Sequence, residues 1–421
     1  PSPPATLAPL KPPPNQAARA LTLVAEATPT TATGVRCPHF GPCGGCSFLE
    51  DEYAEEVAAK EAAFLRAARA RLDLTDVKVE PVKATQEPLF YRTSLKAPFG
   101  LRRGKPVIGF YRPGSHEIVD LNTCAIQHPS LTKLLILARQ CATELGTPIH
   151  DERSHRGLLR HFLARVAPGT GEVVAGFVVR YDRDRETQRL AELLLERGAK
   201  HGLIGVSENV NRERGSAVLG PETRLLAGRG ELREEVDGLT LLTSLTTFAQ
   251  VNAAQGRVLY SEVARRLEPL AGKHVVDLFS GYGPIALRLA ARGARVHAVE
   301  YSDQAVREGQ RSAEASGLAG RVTFAAGDAG RILREYAASA PAPIDAIVVD
   351  PPRRGLSRAA LELLGVLAVP RLVVVSCDPD TFLRDLGQLV ESYTLRELAT
   401  VDLFPRTPHL ESIAVLERRA P

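Results

Sequence analysis

From residue 274 onward the chain alternates short apolar runs with helical stretches, and run after run ends on an acid. His274-Val-Val-Asp277-Leu, Ala294-Arg-Val-His-Ala-Val-Glu300, Val322-Thr-Phe-Ala-Ala-Gly-Asp328 and Ile344-Asp-Ala-Ile-Val-Val-Asp350 each have the length and β-branched content of one strand. Helical stretches Ser357–Leu367 and Thr381–Ser392 flank a further run, Arg371–Ser376. Strands joined through helices must run parallel, because each crossover returns the chain to the same end of the sheet. The fold class is therefore α/β, a doubly wound sheet whose ligands bind in the crevice beyond the C-terminal strand ends. One strand-end acid is as readily a helix N-cap. Asp277, Glu300, Asp328 and Asp350 in register are better read as one ligand rim.

The first run leads into Phe279-Ser-Gly281-Tyr-Gly283, a glycine turn that opens a helix. Gly281 and Gly283 let the backbone pass close to a ligand, but the third glycine of a dinucleotide fingerprint is missing, which disfavours hydride chemistry. An acidic rim suits a donor with a cationic sulfonium and an adenosine, and the layout resembles S-adenosylmethionine-dependent methyltransferases of the doubly wound class. Cys377, in Ser376-Cys377-Asp378-Pro379, closes the Arg371–Ser376 run beside Asp350-Pro351-Pro352-Arg353. A free cysteine after Val-Val-Val is most often core filling. At a strand end facing this crevice, its thiolate can instead attack an electron-poor carbon.

Cys37, Cys43, Cys46 and the distant Cys124 form a C-x5-C-x2-C plus one arrangement. Four thiolates imply a metal site. Glycines 44 and 45 allow a tight turn, and Cys124 ties the N-terminal segment to a later strand. The spacing leaves tetrahedral zinc and a 4Fe-4S cluster both open. A disulfide framework is disfavoured, since no signal peptide is seen and the domain is too large to need one. Cys141, in the apolar helix Leu131–Leu145, reads as a core residue.

Taken in order, Cys37–Cys46, Tyr91-Arg92, Gly109–Asp120 with Cys124, Phe248-Ala-Gln250-Val-Asn252, Asp277–Gly283, Asp350–Arg353, Ser376–Pro379 and Pro408-His409-Leu-Glu411 resemble the uracil-C5 RNA methyltransferase family, which makes 5-methyluridine in ribosomal and transfer RNA. The resemblance spans nearly the whole chain. It implies Cys377 as the nucleophile that adds to C6 and Glu411 as the base that removes the C5 proton. It places Gln250, Phe279, Gly281, Gly283, Glu300, Asp328 and Asp350 around S-adenosylmethionine, with Asp350 also near the uracil. It favours a 4Fe-4S cluster, over zinc, on Cys37, Cys43, Cys46 and Cys124. Pro284 departs from the family, where a polar residue often contacts the donor. The substrate implied is a uridine in structured RNA, 23S ribosomal RNA ahead of transfer RNA. An amino-group methyltransferase competes, because Asp350-Pro-Pro resembles D-P-P-Y, but Arg353 replaces the aromatic and such enzymes need no Cys377. The joint presence of Cys377 and Glu411 argues against a third reading, an RNA-binding metalloprotein with a spent methyltransferase scaffold.

A chain of 421 residues with 44% hydrophobic content can bury more than one core, and no stretch is long enough to span a bilayer. A soluble cytoplasmic monomer is expected. The net charge of +4 is too small to announce nucleic acid by itself. Two runs without acids concentrate the cations: Tyr91–Arg112, with Arg92, Arg102, Arg103, Lys105 and Arg112, and Arg153–Gly171, with Arg160. Beside Phe110 and Tyr111 these six residues are predicted to contact RNA phosphates while the rings stack on bases. The predicted organisation is a Pro-rich flexible segment, 1–36; the cluster loop and a helix over Glu50–Leu72, 37–75; a mixed α+β central RNA-binding domain that contributes Cys124, 76–245; and the catalytic domain, 246–421. Ala54, Val57, Ala58, Glu61, Ala62 and Leu65 are expected to mark the periodicity of the helix.

Overall fold

The structure, a computed structural model, describes residues 36–182, 184–339, 342–367 and 369–419. The segment predicted as flexible, 1–36, lies outside the described residues but for Arg36.

Helix α1 (Tyr53–Arg69) precedes a two-residue strand β1 (Lys78–Val79). Strands β2 (Ser94–Arg102), β3 (Lys105–Tyr111) and β4 (Ile118–Asp120) lead to helix α2 (Pro129–Glu144), and β5 (Leu159–Val166) and β6 (Val173–Val179) to helix α3 (Asp184–Gly198). Strands β7 (Leu203–Val210) and β8 (Glu222–Gly228) complete a seven-stranded sheet, ordered β4-β3-β2-β5-β6-β7-β8. Its strands pair antiparallel except β6 and β7, which α3 links as a parallel crossover. A separate hairpin, β9 (Glu231–Val236) and β10 (Leu239–Ser244), follows.

The C-terminal half continues with α4 (Ala253–Arg266), β11 (His274–Leu278), α5 (Pro284–Ala291), β12 (Arg295–Glu300), α6 (Asp303–Ala315), β13 (Val322–Ala326) and α7 (Ala329–Ser339). It closes with β14 (Ala346–Val349), α8 (Arg358–Leu367), β15 (Arg371–Ser376), α9 (Pro379–Leu389), β16 (Tyr393–Val401) and β17 (Glu411–Arg418). The eight-stranded sheet is ordered β1-β16-β17-β15-β14-β11-β12-β13. Its β11 to β15 strands are parallel, as the alternation of runs and helices predicts, whereas β17 inserts antiparallel between β15 and β16. Successive strand residues face opposite sides. Val275, Val348, Val373 and Val375 join a core with Leu259, Val263, Ile285 and Leu289 of α4 and α5. Val276, Ile347, Val349, Leu372 and Val374 join the opposite core with Phe64, Leu333, Leu361 and Phe382 of α1, α7, α8 and α9. Burying both faces explains why these strands read as unbroken apolar runs.

Two expectations change. Helix α1 turns inward Glu56, Lys60, Phe64 and Ala68, spaced at four residues, while Ala54, Ala58 and Ala62 are exposed. The alanine stripe misled because the charges at 56 and 60 find buried partners near residue 402. The division at 75 and 245 also shifts. Helix α1 packs in the catalytic core, β1 pairs with β16, and Leu239 and Leu241 of β10 belong to the same body, leaving the central sheet as β2 to β8.

Candidate active site

Parallel register sets Leu278 beside Val299 on one side and Val349 on the other, so β11, β12 and β14 end at one edge. Asp277 is fully buried there, and neither carboxylate oxygen completes a hydrogen bond. Burial, with the charges of Asp350 and Glu300, drives its pKa well up, and the nearby Ala286 N–H offsets this only in part. Glu300 accepts hydrogen bonds from the Gly281 N–H at 3.1 Å and the Ser302 N–H at 2.9 Å, which ties the second strand tip to the glycine turn.

Phe279, Gly281 and Gly283 all lie in the left-handed region, at φ 63°, 56° and 85°. A bulky residue there costs about 1–3 kcal/mol, strain that is common where a backbone is shaped for a ligand. A Cβ on Gly283 would stand 2.6 Å from Phe324 Cζ, whereas one on Gly281 would meet nothing within 4 Å. The turn is thus packed on one side and open on the other. Pro284 occupies the start of α5, where its fixed φ and missing N–H cost nothing. Asp328 is exposed and accepts from the Arg331 N–H at 2.9 Å at the start of α7. Gln250, Tyr260, Tyr282 and Pro284 line a cavity of ≈ 80 Å³. Carboxylates around an open glycine turn, with a mixed polar and aromatic cavity alongside, fit the adenosine and sulfonium of S-adenosylmethionine.

Cys377 follows β15 in a turn built by its neighbours. Ser376 Oγ accepts from the Asp378 N–H at 3.2 Å, Asp378 caps α9 by accepting from the Thr381 N–H at 3.0 Å, and Pro379 starts the helix. Their polar atoms shape the turn, leaving a half-buried thiol between them. Burial first, then the charges of Glu411 and Asp350, push the Cys377 thiol up to about 11, with Arg353 opposing. Arg353 is brought there because the 351–356 loop is laced to α9: Thr381 Oγ1 donates to Arg353 O at 3.0 Å, Arg384 Nη2 to Arg354 O at 3.0 Å, and the Leu356 N–H to Asp385 at 2.8 Å.

Glu411 begins β17, opposite Val401, and the next residue, Ser412, faces Ser376 across the β15 pairing. Antiparallel insertion of β17 thus places a residue from the end of the chain beside the Cys377 turn. Glu411 is 2% exposed, and its Oε2 has no hydrogen-bond partner. Burial, reinforced by Asp350, drives its pKa well up, with Arg353 opposing; burial raises Asp350 as well. Sequence reasoning missed two members of this group. Arg353 was read only as replacing an aromatic, and Tyr260 is a buried residue of α4 whose hydroxyl feels Asp350 and Glu411. Nothing local distinguishes Tyr260 from a core residue of an amphipathic helix.

Cys37, Cys43, Cys46 and Cys124, all free thiols, line one small cavity with Phe110 and Leu121. Burial first, then the charges of Cys124, Cys43 and Cys37, push Cys46 up to about 12, with Arg92 opposing. Gly45 N–H donates to Cys43 Sγ at 3.4 Å. Gly44 has φ 59°, and a Cβ there would stand 2.5 Å from Pro113 Cγ, so only glycine fits the turn between the thiols. Among the described residues no group of three His, Cys, Asp or Glu side chains is arranged to hold a metal ion. Cys141 is fully buried in α2.

The predicted RNA contacts separate. Arg102, Arg103 and Lys105 are exposed at the β2–β3 hairpin tip, and exposed Arg112 is paired with Glu117 at 2.9 Å. Arg92 is half-buried beside Cys46 and His409. Arg160 does not fit an RNA contact: it is 6% exposed, and its Nη1 donates to Asn211 O and Glu213 O, both at 2.8 Å. Strand β5 carries it inward, where two carbonyls satisfy the charge. Phe110 packs at the cysteine cavity, and Tyr111 is half-buried, edge-to-face with His116 and donating its hydroxyl to Glu152 at 3.0 Å. The exposed rings are instead Phe90, Phe248 and Tyr301.

A family profile described as tRNA (Uracil-5-)-methyltransferase matches residues 330–419, which include Asp350, Cys377 and Glu411. A second, RNA cap guanine-N2 methyltransferase, matches residues 272–363. The chain is 34% identical over 382 residues to an RNA methyltransferase of Halalkalibacterium halodurans, covering 90% of this chain and 82% of the relative. It is 37% identical over 385 residues to one from Gloeobacter violaceus, covering 91% and 82%. Among solved structures it resembles the Pyrococcus abyssi tRNA (uracil-54, C5)-methyltransferase in complex with S-adenosyl-L-homocysteine, with a TM-score of 0.72 and 22% identity over 89% of this chain and 86% of that one. No helix among the described residues is long and apolar enough to cross a membrane. The chain belongs to the S-adenosylmethionine-dependent uracil-C5 RNA methyltransferase family.

Proposed function

We propose that this enzyme methylates C5 of a specific uridine in structured RNA, ribosomal RNA ahead of transfer RNA, through a covalent adduct on Cys377. The observation that carries the reading is the convergence of a half-buried thiol, the buried Glu411 carboxyl, the half-buried Asp350 carboxyl and one guanidinium at the strand ends beside the glycine turn. Uracil C5 is too weak a nucleophile to take a methyl group unaided. Addition of the Cys377 thiolate to C6 forms the S–C6 bond and moves the C5–C6 π electrons toward C5 and O4. S-adenosylmethionine, when bound, supplies a methyl group on a cationic sulfonium. Gln250, Phe279, Gly281, Gly283, Glu300, Asp328 and Asp350 would hold it, with Asp350 also near the uracil. Positioning of this kind accounts for much of the rate.

Once C5 carries the methyl group, its hydrogen must leave as a proton. Glu411 takes that proton, the electrons restore C5=C6, and the S–C6 bond breaks to free Cys377. A carboxylate kept out of water is a stronger base than an exposed one, which suits this step. Arg353 offsets the negative charge that accumulates when thiolate and carboxylate coexist.

Cys37, Cys43, Cys46 and Cys124 fit a metal centre of the 4Fe-4S kind, with zinc as the alternative. Four thiolates in one cavity would repel one another unless a cationic centre took them, and backbone N–H groups donate to Cys43 and Cys124 as they do around iron–sulfur clusters. These thiolates would hold the cluster and tie Cys124 to the N-terminal loop.

The test uses RNA containing 5-fluorouridine, because fluorine cannot leave as a cation. The unmodified enzyme should form a slow, denaturant-resistant protein–RNA band that carries labelled methyl. Cys377→Ala should form none. Glu411→Gln should form it even with ordinary uridine, and normal turnover by either variant would overturn the mechanism.

A further inference from the structure

The Glu411 Oε2 atom has no hydrogen-bond partner, so the aim of that carboxylate rests on the backbone that delivers it. That backbone is the first residue of β17, paired opposite Val401, and the 402–410 loop that leads to it from β16; the first half of the loop is held by buried charges. Glu56, Lys60, Asp402 and Arg406 are 2%, 3%, 0% and 1% exposed. Lys60 Nζ stands 2.6 Å from Glu56, donates to Asp402 at 3.0 Å and reaches Phe404 O at 3.2 Å. Tyr53 OH donates to the other Asp402 oxygen at 2.8 Å.

Arg406 forms the second clamp. It sits at φ 67°, in the left-handed region, with its N–H donating to Glu56 at 2.7 Å and its Nη1 to Asp51 O at 2.8 Å and Phe48 O at 3.1 Å. Its carbonyl accepts the N–H groups of Ser47 at 2.8 Å and Phe48 at 3.3 Å, the residues that follow Cys46. Helix α1, the cysteine loop and the 402–410 loop therefore close on one another through a neutral group of two acids and two cations. Apolar side chains of similar size would stabilise such a contact as well or better, because burying charges carries a desolvation cost. What charges add is direction: each hydrogen bond fixes one atom of the loop.

We propose that Asp402 and Arg406 are positioning residues for Glu411, clamping the loop to α1 and the cysteine loop so that the carboxylate stands where the C5 proton must be taken. The inference rests on the role proposed for Glu411. It predicts that loosening the clamp slows proton removal while leaving thiol addition intact.

The experiment measures the two steps separately in Asp402→Asn and Arg406→Ala, with Tyr53→Phe as a milder variant that removes one hydrogen bond to Asp402. Unmodified ribosomal and transfer RNA transcripts carrying tritium at uridine C5 report proton removal, and 5-fluorouridine transcripts report addition. Adduct formation on the fluorinated RNA should stay within about twofold of the unmodified enzyme. Tritium release should fall by about tenfold or more, with a methylated protein–RNA species accumulating on ordinary RNA. Tyr53→Phe should shift the same ratio by less. Parallel loss of both rates with melting temperature, or folded variants with an unchanged ratio, would overturn the inference. If the unmodified enzyme forms no adduct on fluorinated RNA, the nucleophilic role of Cys377 fails first and the inference falls with it.

Discussion

Cys377 shows how one residue can be both protected and poised. Its thiol is pushed up to about 11, mostly by burial and then by Glu411, so near pH 7 almost all of it is protonated and inert. The charge of Arg353 pulls the other way, which makes it a control on reactivity. Alkylation of Cys377 by iodoacetamide in the free enzyme should therefore rise about tenfold per pH unit between pH 7 and 10. Arg353→Gln should lower the rate at every pH in that range and move the midpoint upward. A midpoint near the ordinary thiol value in both proteins would show that burial does not govern this site.

The β2–β3 hairpin is the element on which an RNA contact can be tested cleanly. Its tip, Arg102-Arg103-Gly104-Lys105, is exposed, and Arg103 adopts φ 50° with Gly104 at 75°, a tight turn that projects three cations. Each phosphate contacted on a single strand adds about 0.7 to the slope of affinity against salt. Replacing Arg102, Arg103 and Lys105 together by Gln should weaken RNA binding and flatten that slope by about 1–2, measured by filter binding from low to moderate salt. An unchanged slope would make the tip an ordinary solvated turn. The same element-level view shows why Arg160 was misread. Charge along the sequence is visible, but the strand that carries it inward is not.

At the scale of the whole molecule, the cysteine loop is fastened to both bodies. Cys124 lies just beyond the central sheet, Cys46 runs directly into the residues that Arg406 holds, and Arg406 leads to Glu411. Protein purified without oxygen should be brown, with about four irons and four sulfides per chain. Cys46→Ser should lose the iron and melt at a lower temperature, since metal binding of this kind is coupled to folding. Colourless protein with one zinc would decide for the alternative centre.

The parallel strands, the glycine turn and the strand-end acids were legible in the sequence because each is encoded over a few neighbouring residues. β-Branched runs, and Gly281 and Gly283 with positive φ, satisfy local sterics. Tertiary structure alone decided that α1 buries Glu56 and Lys60 in place of its alanines. A charged pair on a helix reads as surface until partners at residues 402 and 406, far along the chain, neutralise it. It alone also decided that β17 enters antiparallel between β15 and β16, because strand order is a competition among long-range pairings that no local pattern records. That insertion is what brings Glu411 to Cys377.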